Sequence, residues 1–333
     1  MWQGTRPPTA SKCQCARRTT ASKSRGAARP RLLGVAERVT VVIRTKNRPA
    51  FLRRALADVS AQEYAGWHIV IVNDDGDRRE VDRVVAEAAV ANVTVVDSAA
   101  PHGRCCAANT GLRAARGEYV VLHDDDDRWH PAFLGETVRW LDEHPGDIGV
   151  MVSTAIIYEE HDGDRWREID RVPFWRGMTR ISLTELFEIN RAVPISFLYR
   201  RELHDIVGWY DESLDAVEDW EFYLRVIPRF PVGFIAGEPL AYWVQRPTAR
   251  GAEANSMFEL GDDHVRDDML VRDRELARWV DKNGAGLPLY LAHLQRQLRE
   301  DLRNLLVSEL DARRPESFRQ RWQRRLRRAS GRR

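Results

Sequence analysis

Four short apolar runs recur along the first half of the chain, separated by segments with helical spacing. The runs are VTVVIRT at 39–45, WHIVIVND at 67–74, VTVVD at 93–97 and YVVLHD at 119–124. Residues 49–62, 79–91 and 104–115 between them read as helices. In the first of these Leu52, Ala55, Leu56 and Val59 share a face, and Pro49 suits the opening turn. A helix at 131–144 and one long strand at 148–160 follow. Strands this uniformly apolar are buried on both faces. Their alternation with helices predicts an α/β fold with a mostly parallel central sheet covered by helices. In such sheets ligands bind beyond the carboxyl ends of the strands.

Three polar clusters fall at those ends: Arg44-Thr45-Lys46-Asn47-Arg48, Asp74-Asp75-Gly76, and Asp124-Asp125-Asp126-Asp127. The four aspartates repel one another, and no basic residue adjoins them before Arg128. A single acidic run reads as a solvated loop. Three clusters at three strand ends fit a shared site better. Hard divalent cations take carboxylate oxygens, and a cation at the aspartates would also hold an anionic substrate. Thr45, Asn47 and Arg48 offer hydrogen bonds and positive charge, and Asp74 can accept from a base or ribose. Together these meet the needs of a nucleotide diphosphate. Neither GxxxxGK[ST] nor GxGxxG follows the first strand, so a P-loop and a dinucleotide fold are not expected.

The 333 residues suit one large domain with appendages, and 43% hydrophobic content with eleven tryptophans is enough for a core. No stretch approaches the roughly 20 apolar residues that cross a bilayer. The N-terminus has no apolar segment behind its basic residues, so a secretory signal is not expected. Cys13, Cys15, Cys105 and Cys106 have no zinc-type spacing. These features predict a cytoplasmic protein.

The near-balanced net charge hides an asymmetry. Residues 1–38 carry nine Lys/Arg and one acid, residues 312–333 carry ten Arg and one acid, and the body between keeps 33 basic against 48 acidic residues. An acidic body does not suit nucleic acid. Residues 1–38 read as a disordered basic tail. Residues 313–328 place Phe318, Trp322 and Leu326 at spacing four among arginines. They read either as a basic amphipathic helix touching the anionic inner face of a membrane or as a helix packed on the domain. In the second half, a strand is expected at 196–200, an apolar helical face of Trp220, Tyr223, Leu224 and Ile227, two short strands within 232–245, and helix from 256 on. The expected division is a domain over 39–255 and a helical C-terminal extension over 256–333.

Three stretches occur in order: VTVVIRTKNRPAFLRRALADVSAQEYAGWHIVIVNDDG, HGRCCAANTGLRAARGEYVVLHDDDDRWHP and DESLDAVEDWEFYLR. The chain resembles family 2 glycosyltransferases of the GT-A fold over about residues 39–245. The resemblance implies metal-dependent, inverting sugar transfer from a nucleotide-diphosphate donor, a UDP- or dTDP-sugar, to a hydroxyl acceptor. That acceptor would be a cell-surface glycan, a lipid-linked saccharide or a small molecule. It implies Thr45, Asp74 and Asp75 at the nucleotide, Arg104 and Asn109 in the donor site, and Asp125 facing the sugar. Asp124 and Asp126 fit the Asp-x-Asp that holds Mn2+ or Mg2+, and Asp127 starts the next turn. Glu218 and Asp219 fit the Glu-Asp pair, with Asp219 as general base. Two positions depart from the family pattern: Arg44 stands where Pro is frequent, and Gln245 where a metal-site His is frequent. His264 could substitute for that His or sit on a helix surface. Arg246 and Arg250 could contact phosphate from a closing loop or be solvated. A catalytically silent nucleotide-sugar or glycan-binding relative is the alternative.

Overall fold

The computed structural model describes residues 36–163, 165–255 and 261–313. The basic tail, except its last three residues, and the basic stretch 314–328 lie outside them. Strand β1 (Val39–Thr45) is buried along its whole length. Helix α1 (Pro49–Ser60) begins on a proline whose missing N–H is no loss at that position, and it buries Phe51, Leu52, Ala55, Leu56 and Val59. β2 (Trp67–Asn73), α2 (Arg78–Ala88), β3 (Val93–Asp97), α3 (Arg104–Ala114) and β4 (Tyr119–Asp124) follow in the predicted alternation. Asp77 caps α2 by accepting from the Arg79 amide at 2.9 Å.

Beyond β4 come β5 (Arg128–Trp129), α4 (Phe133–Glu143), β6 (Gly149–Val152), β7 (Thr154–Asp162) and β8 (Arg165–Pro173). Then α5 (Leu183–Glu188), β9 (Phe197–Arg200), α6 (Leu203–Val207), α7 (Glu218–Val226), β10 (Val232–Ile235) and β11 (Ala241–Gln245) complete the sheets. Two helices close the described chain, α8 (Gly261–Asn283) and α9 (Gly286–Arg313).

Among the described residues the strands form two sheets. The central one has the order β10-β6-β9-β4-β1-β2-β3, and the second runs β5-β11-β7-β8. β1 is parallel to β2 and β4, β2 to β3, and β6 to β10, while β9 alone runs antiparallel to its neighbours β4 and β6. The mostly parallel sheet expected from the apolar runs is therefore present. Alternate residues of each central strand feed opposite cores. Val42, Val70, Val72, Val120 and Leu122 join one. Val41, Ile43, Ile69, Ile71 and Val121 join the other, with α1 and α4. The chain moves outward from β1 through β3 and then returns to β4 on the other side of β1. This makes a topological switch between β1 and β4, where open α/β sheets bind ligands.

The single strand expected at 148–160 is two. β6 lies in the central sheet and β7 in the second, with Ser153 at the change. Its N–H donates to Ile235 O at 2.9 Å and its carbonyl accepts from Leu240 N at 3.0 Å. The segments β6–β7 and β10–β11 thus cross side by side from one sheet to the other. The crossing carries the end of β11 over the carboxyl edge of the central sheet.

Helix α3 reaches the sheet through Gly111. A Cβ there would lie 2.3 Å from Val42 Cγ1 and 2.8 Å from Val72 Cγ2, both on stiff β-branched side chains. Gly111→Ala is expected to destabilise the protein by about 1–3 kcal/mol, read as a lower thermal midpoint. An unchanged midpoint would show that α3 can lift off the sheet at no cost.

Candidate active site

Arg44 and Asp124 are register partners on β1 and β4 at the switch. The buried Arg44 guanidinium donates from Nε at 2.9 Å and Nη2 at 2.5 Å, both to Asp124 Oδ1. Its Nη1 donates to Arg104 O at 3.1 Å and lies 3.5 Å from Glu218 Oε1. Burial opposes the charge on Asp124, yet Arg44 and then Arg104 hold its carboxyl below the usual carboxylate range.

Arg48, one residue before α1, spans the next two carboxylates. Nη1 donates to Asp125 Oδ1 at 2.9 Å and Nη2 to Asp126 Oδ2 at 3.0 Å. Thr45 Oγ1 donates to Asp125 Oδ2 at 2.7 Å. Arg246, fully buried, donates from Nη2 to Asp126 Oδ2, and Asn255 Nδ2 reaches the same oxygen at 3.2 Å. Asp127 Oδ1 accepts from Val244 N at 2.8 Å. Burial raises Asp125 to about 7 against the pull of Arg48. Burial and the neighbouring Asp126 and Asp124 push Asp127 well above the usual range. The repulsion that the bare sequence leaves unanswered is met from within, by three arginines from distant segments and by burial that favours the neutral acids.

This corrects the reading of Arg246 as a phosphate contact on a closing loop. It is a buried partner of Asp126, with its guanidinium carbon 4.3 Å from the centre of the Phe51 ring and its Nη1 3.6 Å from Glu159. Arg250 is exposed and outside the wall of the cavity that these residues frame.

That cavity encloses about 540 Å³, with Thr45, Asn47, Arg48, Asp74, Arg104 and the four aspartates in its wall. Asp74 Oδ1 accepts from Ser98 Oγ at 2.8 Å and Gly103 N at 3.1 Å, which fixes the carboxylate beside the opening of α3. Asn47 takes φ 54° and accepts on Oδ1 from Asp77 N at 2.9 Å, tying the loop after β1 to the loop after β2. Asp75 does not join the wall. It is exposed and pairs with Lys46 at 3.1 Å, which lowers its pKa and ties it to the loop after β1. Asn109 is also outside the site. It bonds Tyr210 O at 3.0 Å, Tyr210 N at 3.0 Å and Glu212 Oε1 at 2.8 Å, so it holds the 210–217 loop against α3. Gln245, at the end of β11, lines the cavity with both amide atoms buried and unpartnered.

A second cavity of about 620 Å³ shares Arg104, Asp124, Asp127 and Trp243 with the first. Its wall holds Glu218, Asp219 and Asn190 among apolar and aromatic side chains. The Glu218-Asp219 pair opens α7, where the helix dipole favours acids. The residue before it, Val217, has φ 55°, a left-handed conformation that costs a β-branched residue roughly 1–3 kcal/mol. Buried Asp267 on α8 helps impose it, with Oδ2 accepting from Asp215 N at 2.8 Å and Ala216 N at 3.0 Å. Burial works against the charge on Glu218, but Arg104 and Arg44 hold it below its ordinary value. Asp219 goes the other way. Burial first, then the Glu218 carboxylate, raises it to about 7, against hydrogen bonds from Asn190 Nδ2 and Trp220 N, both at 2.8 Å. His264 is neither a substitute in the first cavity nor a plain surface residue. It lines the second, and burial and then Arg104 lower its pKa.

Residues 40–207 match the model of glycosyl transferase family 2. The chain belongs to this family. It is 27% identical over 253 residues to the uncharacterized glycosyltransferase YwdF of Bacillus subtilis, covering 75% of this chain and 85% of that one. It is 30% identical over 205 residues to the putative colanic acid biosynthesis glycosyl transferase WcaA of Escherichia coli, covering 60% and 68%. Among solved structures it is similar in fold to S. aureus TarS 1–349. The TM-score is 0.50 at 18% identity, over 62% of this chain and 60% of that one. For TarS 1–349 in complex with UDP-GlcNAc the TM-score is 0.51 at 17% identity, over 75% of each. The protein is thus a glycosyltransferase with a GT-A type fold. No described helix is long and apolar enough to cross a membrane.

Sequence reasoning placed Arg44 in the first polar cluster and noted it as a departure from the family pattern, but gave it no partner. A β1 residue in register with the first aspartate was the available signal. Arg44→Met is expected to lower stability by about 3–5 kcal/mol, because Asp124 and Glu218 lose a buried partner. Much of the loss should return in Arg44→Met/Asp124→Asn. A double variant no more stable than the single, in thermal unfolding, would show that the pair is not the source.

Proposed function

We propose that this glycosyltransferase moves a sugar from a nucleoside-diphosphate donor in the polar cavity to a hydroxyl in the apolar one, with inversion and with Asp219 as base. One observation carries the reading. The two cavities share a wall, and Asp219, raised to about 7, stands on the second side, whereas Asp125, raised to the same value on the first, is tied to Arg48 and Thr45. A base poised near neutrality suits removal of a hydroxyl proton.

Thr45, Asn47, Arg48, Asp74 and Asp125 would take the nucleotide and sugar, with Asp75 steadying the loop beside them. Arg104, in the shared wall, places positive charge where the departing diphosphate gains negative charge. The similar TarS fold is solved with UDP-GlcNAc, which makes it the first donor to try among UDP- and dTDP-sugars. Asp219 would accept the acceptor proton while the acceptor oxygen bonds the anomeric carbon and the bond to the diphosphate breaks. This is a single displacement that needs no covalent enzyme intermediate. Asn190 and Trp220 N orient the carboxylate. A relative named for colanic acid biosynthesis supports a cell-surface glycan or lipid-linked saccharide as acceptor.

Among the described residues no group of three acidic, His or Cys ligands is assembled for a metal, but two oxygens of this wall are open to a divalent cation, manganese or magnesium. Asp126 takes three donors on Oδ2, which leaves Oδ1 as its remaining acceptor. Gln245 Oε1 is buried without a partner in the same wall. Such a cation would supply charge neutralisation on the diphosphate, held by these two oxygens and by the substrate. Asp124, read from sequence as the other ligand, already takes two N–H groups of Arg44 on one oxygen. We assign it chiefly to placing that arginine.

Calorimetry of nucleoside diphosphates with and without manganese is expected to find one that binds only with the metal. Gln245→Ala, which removes no charge, should weaken that binding on the order of tenfold or more. Equal binding by the variant would remove Gln245 from the metal site, and binding without turnover of any donor would favour the catalytically silent reading.

Asp219 acts ionised, so the rate should fall as pH drops below about 7. Glu218→Gln removes the like charge beside it, lowers its pKa and should move the acid limb of kcat to lower pH. A limb that stays in place or rises would assign the base elsewhere.

A further inference from the structure

Helix α9 is long and apolar along one side, yet it has no packed face. Residues 286–310 are all exposed except Pro288, which is half-buried. Leu287, Leu291, Leu294, Leu298, Leu302 and Leu305 follow one another at spacings of 4, 3, 4, 4 and 3. At 3.6 residues per turn these six fall within an arc of about 80°. They are between 40% and 61% exposed. A stripe of this kind is the face that a helix buries, and most of a helix's stability in a protein comes from burying it. Here 28 residues form a helix that no described element covers. A contiguous apolar surface left in water marks an interaction site.

The flanks of the stripe select the partner. At the same periodicity Arg299 and Arg303 lie along one flank and Asp301 along the other. Residues 286–310 carry three arginines and three acids, so the helix has no net charge. A helix that lies on an anionic lipid surface is basic along its polar face, and this one is not. The same helix of a second copy does match. Laid parallel about a two-fold axis, leucine stripe meets leucine stripe, and the Arg299 and Arg303 flank of each helix faces the Asp301 flank of the other. Antiparallel pairing would instead turn the two basic flanks toward each other.

We propose that α9 is a self-association surface, which pairs in parallel with α9 of a second copy of this chain and makes the protein a homodimer. The pairing is separate from the transfer reaction and does not depend on how either cavity is read.

The test is the mass of the full chain at micromolar concentration by sedimentation velocity. The wild type is expected at twice the chain mass, and Leu294→Glu/Leu298→Glu at the chain mass. Both substitutions fall at exposed positions, so the folded chain tolerates them. Gln297→Glu/Asn304→Glu adds the same charge beside the stripe, on its acidic flank, and should leave the dimer intact. Arg299→Glu is expected to weaken the dimer several-fold, and Asp301→Arg added to it should restore much of the loss. A wild-type monomer would overturn the proposal and leave the stripe to residues outside those described or to a lipid surface, which vesicle flotation separates. A dimer that survives the leucine substitutions would place the contact elsewhere, and dissociation by both double variants would show that the stripe is not its source. A dimer strengthened by Arg299→Glu would overturn the parallel arrangement.

Discussion

Four consecutive carboxylates can end a buried strand only if something answers their charge, and here three guanidiniums do. Arg44 comes from β1, Arg48 from the start of α1 and Arg246 from just past β11. Each segment must be in place before the aspartates are tolerable. The pairing therefore fixes more than local charge. It joins the central sheet to the second one, because Asp126 and Asp127 are bonded to Arg246, Asn255 and Val244 across the gap between them. Removing one partner of such a cluster leaves an uncompensated buried charge, which costs far more than a surface ion pair is worth.

The same arginines reach the chemistry. Arg44 touches both Asp124 and Glu218, and Arg104 lies 3.6 Å from Glu218. Glu218 stays ionised because of them, and an ionised Glu218 is one reason that Asp219 is raised to about 7. The proton affinity of the candidate base is thus set partly by the charge arrangement on the donor side. A polar cavity and an apolar cavity are coupled through a single glutamate between two arginines and an aspartate.

Much of the central sheet was legible because its strands are apolar on both faces and its helices carry a clear stripe. β1 to β4 and the helices between them follow that pattern closely. The second sheet was not legible. The run 148–160 holds neither Gly nor Pro at Ser153 to announce a change of sheet, and β8 is exposed along most of its length, so it has no apolar run to find. The site divides in the same way. Polar clusters at strand ends stand out because the topology gives those positions meaning. The partners that complete them do not: Arg44 and Asp124 are 80 residues apart, and Arg246 and Asp126 are 120. Pairing over such distances is a property of the fold and leaves no local spacing. Apart from Arg104, Asp124 and Asp127, the apolar cavity draws its wall from residues 174 to 269, and beyond the Glu218-Asp219 pair it has no motif.

Asp267 gives the described C-terminal helices a meaning that their position in the chain conceals. Its carboxylate holds the backbone of Asp215 and Ala216, immediately before the left-handed Val217 and the Glu218-Asp219 pair. Asp211 in the same loop takes a further bond, at 2.6 Å, from Arg274 on α8. Sequence invites a cut after residue 255, where the strands are finished. Such a cut would keep both sheets and discard the brace of the one turn that stands in a costly backbone state. Modularity as an engineer would draw it and modularity as the energy is distributed do not coincide in this protein. The turn that presents the base is held from a helix that a minimal catalytic fragment would omit.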